Sequence, residues 1–358
     1  MAETGVPGIA DLPGLARWLA ANDLPGAGEI PEVRLILGGR SNLTYRLDFA
    51  RAGQPLVLRR PPLGHVLPTA HDMAREYRVL TALRGTAVPV PRPVALCQEP
   101  SVIGSPFYLM EWVEGIVVRT RDDASILTPG MAGEVSLRFA EMLASIHGVD
   151  IAAAGLAGFG RPEGYLARQL TRWQRQWELS ATREVPGYQQ LVGRLATGLP
   201  AGGAPIGAGT APAGTLVHGD YRLDNMLIMT EAQPRITAVL DWEMATLGDP
   251  LADLGLALVY WSGPDDDPNV YSVGGDVTTA PGFLSRDALA GHYAQLTGRD
   301  LSRLGYYMAF GCFKLAVVLE GIHARFLQRK TVGEGFEREG RAVPALIERA
   351  HELRSTEK

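Results

Sequence analysis

The chain has 358 residues, 46% of them hydrophobic and 20% charged, which excludes disorder as its main state and is enough for two lobes or domains. A net charge of −5 and a pI near 5.9 give no electrostatic case for nucleic acid, so small-molecule chemistry is the expectation. Cys97 and Cys312 form no C-x-x-C pair, hence neither a disulfide framework nor a zinc pattern, and a reducing cytoplasm fits. No run reaches membrane-spanning length, and MAETGVPGIADLPG has no basic segment before an apolar core, so neither a membrane partner nor a secretory signal is expected. Composition leaves the oligomeric state open.

In chain order, ADLPGLARWLAAN reads as a short helix with Leu12, Leu15 and Leu19 on one side, a lid or brace on the first lobe. Leu43, Tyr45, Leu47 and Phe49 then alternate with Thr44, Arg46 and Asp48 at the period of a half-buried strand, which with VRLIL predicts a hairpin. Its turn, GGRSN, holds Gly39, Ser41 and Asn42, where backbone amides can approach phosphates; a plain hairpin turn is the competing reading. No Walker A motif is present. PLVLRR puts Val57 and Arg59 on one strand face and Leu56 and Leu58 on the other. In HDMAREYRVLTALR, Met73, Tyr77 and Leu80 recur at helical spacing, with Glu76 on the bordering surface as the only acid in mid-helix. The proline-punctuated AVPVPRPVAL leads to the strand PFYLMEWVEG.

Beyond Gly115 the pattern turns helical, with Phe139, Met142, Leu143 and Ile146 as one apolar stripe and His147 as a capping or core histidine. Arg168, Arg172 and Arg175 recur at i, i+4 and i+7: either a solvated basic stripe or a face for an anionic acceptor. Residues 195–214 are uncharged and read as a connector. Asp265 to Asp267 read as solvated, and helical patterns at 286–297, 301–328 and 336–353 close the chain.

Between them lies TLVHGDYRLDNMLIMTEAQPRITAVLDWEMATLGD, in which His218, Asp220 and Asn225 form H-x-D-x-x-x-x-N and Asp241 ends the second of two strand-like runs. Moving a γ-phosphoryl group to a hydroxyl needs positioning, charge neutralisation and a weak base. Asp220 can accept the hydrogen bond of the acceptor hydroxyl, and Asn225 and Asp241 can offer the hard oxygens that magnesium prefers. A polar surface loop between two strands is the alternative, and four polar residues in register argue against it.

HGDYRLDN and LDWE resemble the signature of the aminoglycoside phosphotransferase and choline-kinase families, and VLDWEMATLGDPLADLG resembles the phosphotransferase-like domains associated with acyl-CoA dehydrogenases. The resemblance implies an α+β, bilobal protein-kinase-like fold: a small antiparallel-sheet lobe with the hinge over residues 1–113 and a larger, mainly helical catalytic and acceptor-binding lobe over 114–358. It implies ATP and Mg²⁺ as cofactors, with ATP held by Gly39, Ser41, Asn42, Arg59 and Glu76 and by the hinge backbone at Met110, Glu111 and Val113. Arg59 stands where kinase relatives carry a lysine and would pair with Glu76. Arg222 stands where protein kinases carry a catalytic-loop lysine and would neutralise the transferring phosphate, while His218, Asp249 and Asp253 would support the loop. The expected activity is ATP-dependent phosphorylation of a small-molecule hydroxyl, such as that of a hydroxyacyl-CoA or hydroxy acid. The alternatives are a pseudokinase-like module that binds nucleotide or acyl-CoA, and an aminoglycoside-type phosphotransferase.

Overall fold

Alternating side chains give the first sheet two chemically different faces. The computed structural model describes residues 6–36, 42–51, 53–63, 72–200, 214–231, 233–266, 275–329 and 336–355. Within them β1 (Glu32–Leu35), β2 (Leu43–Asp48), β3 (Leu56–Arg60), β4 (Pro93–Cys97) and β5 (Phe107–Glu111) form an antiparallel sheet in the order β1-β2-β3-β5-β4. The register sets Tyr45 opposite Leu58 and Leu58 opposite Leu109, and these residues join Leu47, Leu56 and Phe107 in one core cluster. Helix α1 (Leu12–Ala21) covers that face with Leu15 and Leu19; its N-cap Asp11 accepts from the Gly14 amide at 2.8 Å. Each leucine so buried contributes about 1.5–3 kcal/mol relative to exposure.

Residues of the other parity, Thr44, Arg59 and Tyr108, lie opposite one another across β2, β3 and β5. Helix α2 (Met73–Leu83) buries Met73, Glu76, Val79, Leu80 and Leu83. Glu76, expected on the bordering surface, is only 2% exposed, because its carboxylate is drawn inward to Arg59.

The chain divides into two compact units, Met1–Gly115 with Thr237–Glu243, and Ile116–Ile236 with Met244–Lys358. The hairpin over residues 226–241, assigned whole to the larger lobe by sequence, is therefore divided between the two units. Hydrogen bonds explain why: Val239 N–H donates to the Pro89 carbonyl at 2.9 Å, and Thr237 Oγ1 to the Glu114 carbonyl at 2.9 Å.

The second unit is mainly helical: α3 (Arg121–Ala124), α4 (Pro129–His147), α5 (Tyr165–Ser180), α6 (Tyr188–Thr197), α7 (Pro250–Tyr260), α8 (Arg286–Thr297), α9 (Leu304–Leu327) and α10 (Phe336–Ser355). β6 (Thr215–Val217) pairs antiparallel with β9 (Thr246–Gly248), and β7 (Met226–Met229) with β8 (Arg235–Val239) makes a second two-stranded sheet. The stretch read as a connector begins helical, since α6 runs to Thr197; residues 201–213 lie outside the described residues. Asp266 is held by Arg286 rather than solvated, with Nη1 to Oδ1 at 2.9 Å, and Asp267 lies outside the described residues.

Helices α7 and α9 meet at a glycine. A Cβ on Gly255 would stand 2.6 Å from the Tyr307 carbonyl carbon and oxygen, so only glycine allows this approach. Contrary to the sequence reading, α9 is long and apolar enough to cross a membrane, with mean hydropathy 1.3. Its most apolar window is 78% buried inside the unit, which is what a core helix requires.

Candidate active site

In the first unit the site begins with strand parity. Arg59 shares the face of Val57, Tyr108 and Met110, and its Nε donates to Glu76 Oε2 at 3.1 Å. The same guanidinium pairs with the Asp241 carboxylate and reaches Thr44 Oγ1 at 3.4 Å. Burial pushes the Glu76 carboxyl up, to about 7, against the downward pull of the Arg59 charge; Asp241 and Glu243 add to the rise. Tyr108 is a further hydrogen-bond partner of Glu76. Arg60, one residue on, has the opposite parity and donates to the carbonyls of Gly8 and Pro61. The expected pair of Arg59 with Glu76 is therefore found, and Arg60 turns to other partners.

Asp241 itself has φ +63°, the left-handed region that non-glycine residues enter at a cost and that recurs at functional sites. Its carboxylate is 24% exposed. Asn42, whose backbone amide was expected to approach phosphate, is buried, and its side-chain amide donates to Glu243 Oε2 at 2.9 Å, which fixes the residue without engaging that backbone N–H. Gly39 and Ser41 lie outside the described residues. At the expected hinge, Met110 is buried in β5 and paired with Val57. The Glu111 amide donates to the Arg92 carbonyl at 2.9 Å, and its carboxylate pairs with Arg92. That correction removes the Glu111 N–H as an adenine donor and leaves Val113, half-buried beyond the strand end, for that part.

The second unit holds the loop that carries Asp220. Gly219 has φ +82°, and a Cβ there would stand 2.7 Å from the Met244 carbonyl oxygen, so the turn into Asp220 demands glycine. Asp253, in the first turn of α7, accepts from the His218 amide at 2.7 Å and the Gly219 amide at 2.8 Å. His147 Nε2 lies 3.3 Å from the same carboxylate, and its Nδ1 lies 2.7 Å from the Tyr293 hydroxyl. A carboxylate can only accept, so Nε2 bears the proton and Nδ1 accepts from Tyr293. Burial lowers the pKa of His147, which keeps the ring neutral. Burial alone would raise Asp253, but its hydrogen bonds and the nearby histidines hold it below the usual carboxylate range. Asp253 is thus a buttress, and His147 a core residue serving it. The Asp220 amide in turn donates to His218 Nδ1 at 3.3 Å, which gives His218 the supporting part expected of it.

On this base the Asp220 carboxylate is held at both oxygens. Tyr260 Oη donates to Oδ1 at 2.7 Å, and Asn225 Nδ2 donates to Oδ2 at 3.2 Å and to the Asp220 carbonyl at 2.9 Å. With its nitrogen so engaged, the Asn225 amide presents its oxygen in the other direction. Asp249, the other expected supporter, caps α7 by accepting from Leu251 N–H at 3.0 Å and accepts from Tyr307 Oη at 2.9 Å. Arg222 departs from expectation. Its guanidinium pairs with Asp224 and stacks on Tyr260, 4.8 Å from the ring centroid, so its charge has a carboxylate partner two residues away.

Two participants were missed by the sequence reading. Tyr260 lies two helical turns after Asp253, on the same face of α7, and that i, i+7 spacing was its signal. Lys314 donates from Nζ to the Gly219 carbonyl at 2.6 Å; a single charge inside the apolar run YYMAFGCFKLAVVL was its signal. Of the arginine stripe, Arg168 is committed to the carbonyls of Arg161 and Glu163, while Arg172 lies beside Trp173.

A family model described as the phosphotransferase enzyme family matches residues 32–289. Acyl-CoA dehydrogenase family member 11 of Gallus gallus is 36% identical over 342 residues, 92% of this chain and 42% of that protein. Family member 10 of Mus musculus is 33% identical over 89% of this chain and 29% of its own length, so the chain spans less than half of these curated relatives. A crystal structure from Ralstonia eutropha, provisionally assigned as an aminoglycoside phosphotransferase, superposes with a TM-score of 0.78 at 31% identity, covering 97% of this chain and 99% of that one. An amicoumacin kinase in complex with AMP-PNP and Ca²⁺ shares the fold at 14% identity and TM-score 0.56, covering 91% of this chain and 89% of its own.

Proposed function

Because the chain belongs to this phosphotransferase enzyme family, we propose that it is an ATP- and Mg²⁺-dependent kinase phosphorylating a hydroxyl of a small molecule. The observation that carries the reading is the Asp220 carboxylate, aimed by Tyr260 and Asn225 on a loop that Asp253 fixes from behind. In the reaction Asp220 accepts the proton of the acceptor hydroxyl as its oxygen bonds to the γ-phosphorus. The bond from that phosphorus to the β–γ bridging oxygen breaks, and ADP leaves. Arg59, oriented by Glu76, offers two parallel N–H donors to the α- and β-phosphates, and the Val113 backbone serves adenine.

For the metal, the donors fit. The Asn225 amide oxygen and the Asp241 carboxylate are both hard oxygen ligands. That suits Mg²⁺, which keeps waters and takes phosphate oxygens to complete its shell. When bound it supplies charge neutralisation along the phosphates. Arg59 has to give up Asp241 for the phosphates, since one guanidinium edge cannot serve both.

The relatives' names support a hydroxyacyl-CoA or hydroxy acid as acceptor over an aminoglycoside. The Arg59–Asp241 pair favours a second reading, a nucleotide-binding module without turnover. A screen of Mg²⁺-dependent phosphoryl transfer from ATP and from GTP to hydroxyacyl-CoAs, hydroxy acids, sugars, amino alcohols and amino sugars decides between them. Transfer to one class above the level of Asp220→Asn establishes the kinase. MgATP binding with no transfer to any of them establishes the module.

A further inference from the structure

Lys314 is a charge placed where a helix should have none. It sits half-buried in α9, and its bond to the Gly219 carbonyl uses one of its three N–H donors. Among the described residues no carboxylate lies within ion-pair distance of Lys314 or of Arg172. The two cations share a neighbour. Lys314 Nζ is 5.5 Å from the centroid of the Trp173 ring, and Arg172 Cζ is 5.3 Å from the same ring. Trp173 is 7% exposed, and its Nε1 has no hydrogen-bond partner among the described residues. A buried indole N–H normally finds an acceptor, and a desolvated ammonium normally finds a carboxylate. Both groups here lack what an anion would supply. Burial draws the pKa of Lys314 below the usual lysine range, against the upward pull of Asp220 and Asp253, so an anion placed beside it would favour the charged form.

We propose that Lys314, Arg172 and the Trp173 indole N–H form an oxyanion subsite that holds a carboxylate or phosphate group of the acceptor while its hydroxyl stands at Asp220. This rests on the phosphotransferase reading for the acceptor's identity, but the subsite itself can be tested without turnover. It excludes polycationic acceptors, which two unpaired cations beside the base would repel.

The test is a calorimetric titration of the nucleotide-free chain with inorganic phosphate and, separately, with acetate. Wild-type protein is expected to bind at least one of them, Lys314→Met to lose about tenfold or more in affinity, and Lys314→Arg to recover most of it. Arg172→Gln, an exposed position away from the catalytic loop, is expected to lose about threefold and keeps the proposal open to failure if Lys314→Met does not fold. Tighter phosphate marks a phosphorylated acceptor, and tighter acetate a carboxylic acid. Repeating the titration with saturating MgADP separates the sources: retained Lys314-dependent binding supports an acceptor subsite, and its loss overturns it by giving these donors to the nucleotide phosphates. Binding of neither anion, or equal binding by wild type and both charge-removing variants, also overturns it and leaves the kinase reading untouched.

Discussion

The proposed base, Asp220, has its carboxylate held at both oxygens, one by a tyrosine and one by an asparagine. Asp220→Asn removes the proton acceptor and keeps the shape, so nucleotide binding is expected to persist while turnover falls by about two orders of magnitude or more. Steady-state rates beside a calorimetric MgATP titration check both halves. Tyr260→Phe takes away one hydrogen bond worth about 1 kcal/mol, so kcat should drop about fivefold with the KM for ATP unchanged; an unchanged kcat would show the hydroxyl to be idle. Glu76 yields a pH prediction whose sign comes from its raised pKa. Between the ordinary value of 4.5 and about 7, the folded chain keeps a proton on Glu76 that the unfolded chain has released. The stability from that group is therefore full at the acid end and is lost as pH rises through about 7. Thermal melts of Glu76→Gln should show a flatter pH dependence than wild type across that window, and parallel curves would refute the assignment.

Among elements, the start of α7 matters most to the catalytic loop, because one carboxylate at its first turn accepts from two consecutive loop amides and a histidine. Asp253→Ala leaves all three donors buried and unpaired, and a loss of about 3–5 kcal/mol in urea unfolding is expected. Much of this was readable in advance: the H-x-D-x-x-x-x-N run, the strands on either side of the TEAQP turn and the buttressing acid all lie within one stretch, where spacing alone sets proximity. The alternation in β3, together with the place of the family's lysine, pointed to Arg59 as the partner of Glu76, and the pair is present. What stayed hidden depends on partners far apart in sequence. Asn42 is satisfied by Glu243, the Glu111 amide by Arg92, and the Gly219 carbonyl by Lys314, and no local period reports such pairs. The Arg222 pair was hidden for the opposite reason: its partner Asp224 is close by in sequence, but only the short 3₁₀ turn Leu223–Asn225 brings the two charges together.

For the molecule as a whole, the chain leaves the first unit after Gly115 and returns to it for the seven residues Thr237–Glu243. Contact rather than sequence position decides where a substitution there is felt. Asp241→Ala removes one of the two carboxylates facing the buried Arg59 and leaves Glu76 as its counter-ion. A buried cation that loses one of its two counter-ions is less well offset against its desolvation, which destabilises the elements that enclose it, here β3 and α2. Hydrogen exchange should therefore quicken at Leu56–Arg60 and Met73–Leu83, while α7 and α9 keep their protection although α7 begins only nine residues after Asp241. The same variant loses a hard oxygen ligand with no substitute, so Mg²⁺-dependent nucleotide affinity should vanish in calorimetry. The two readouts are separable. Faster exchange confined to α7 and α9 would show that Asp241 belongs energetically with its sequence neighbours, and unchanged metal dependence would move the magnesium site elsewhere.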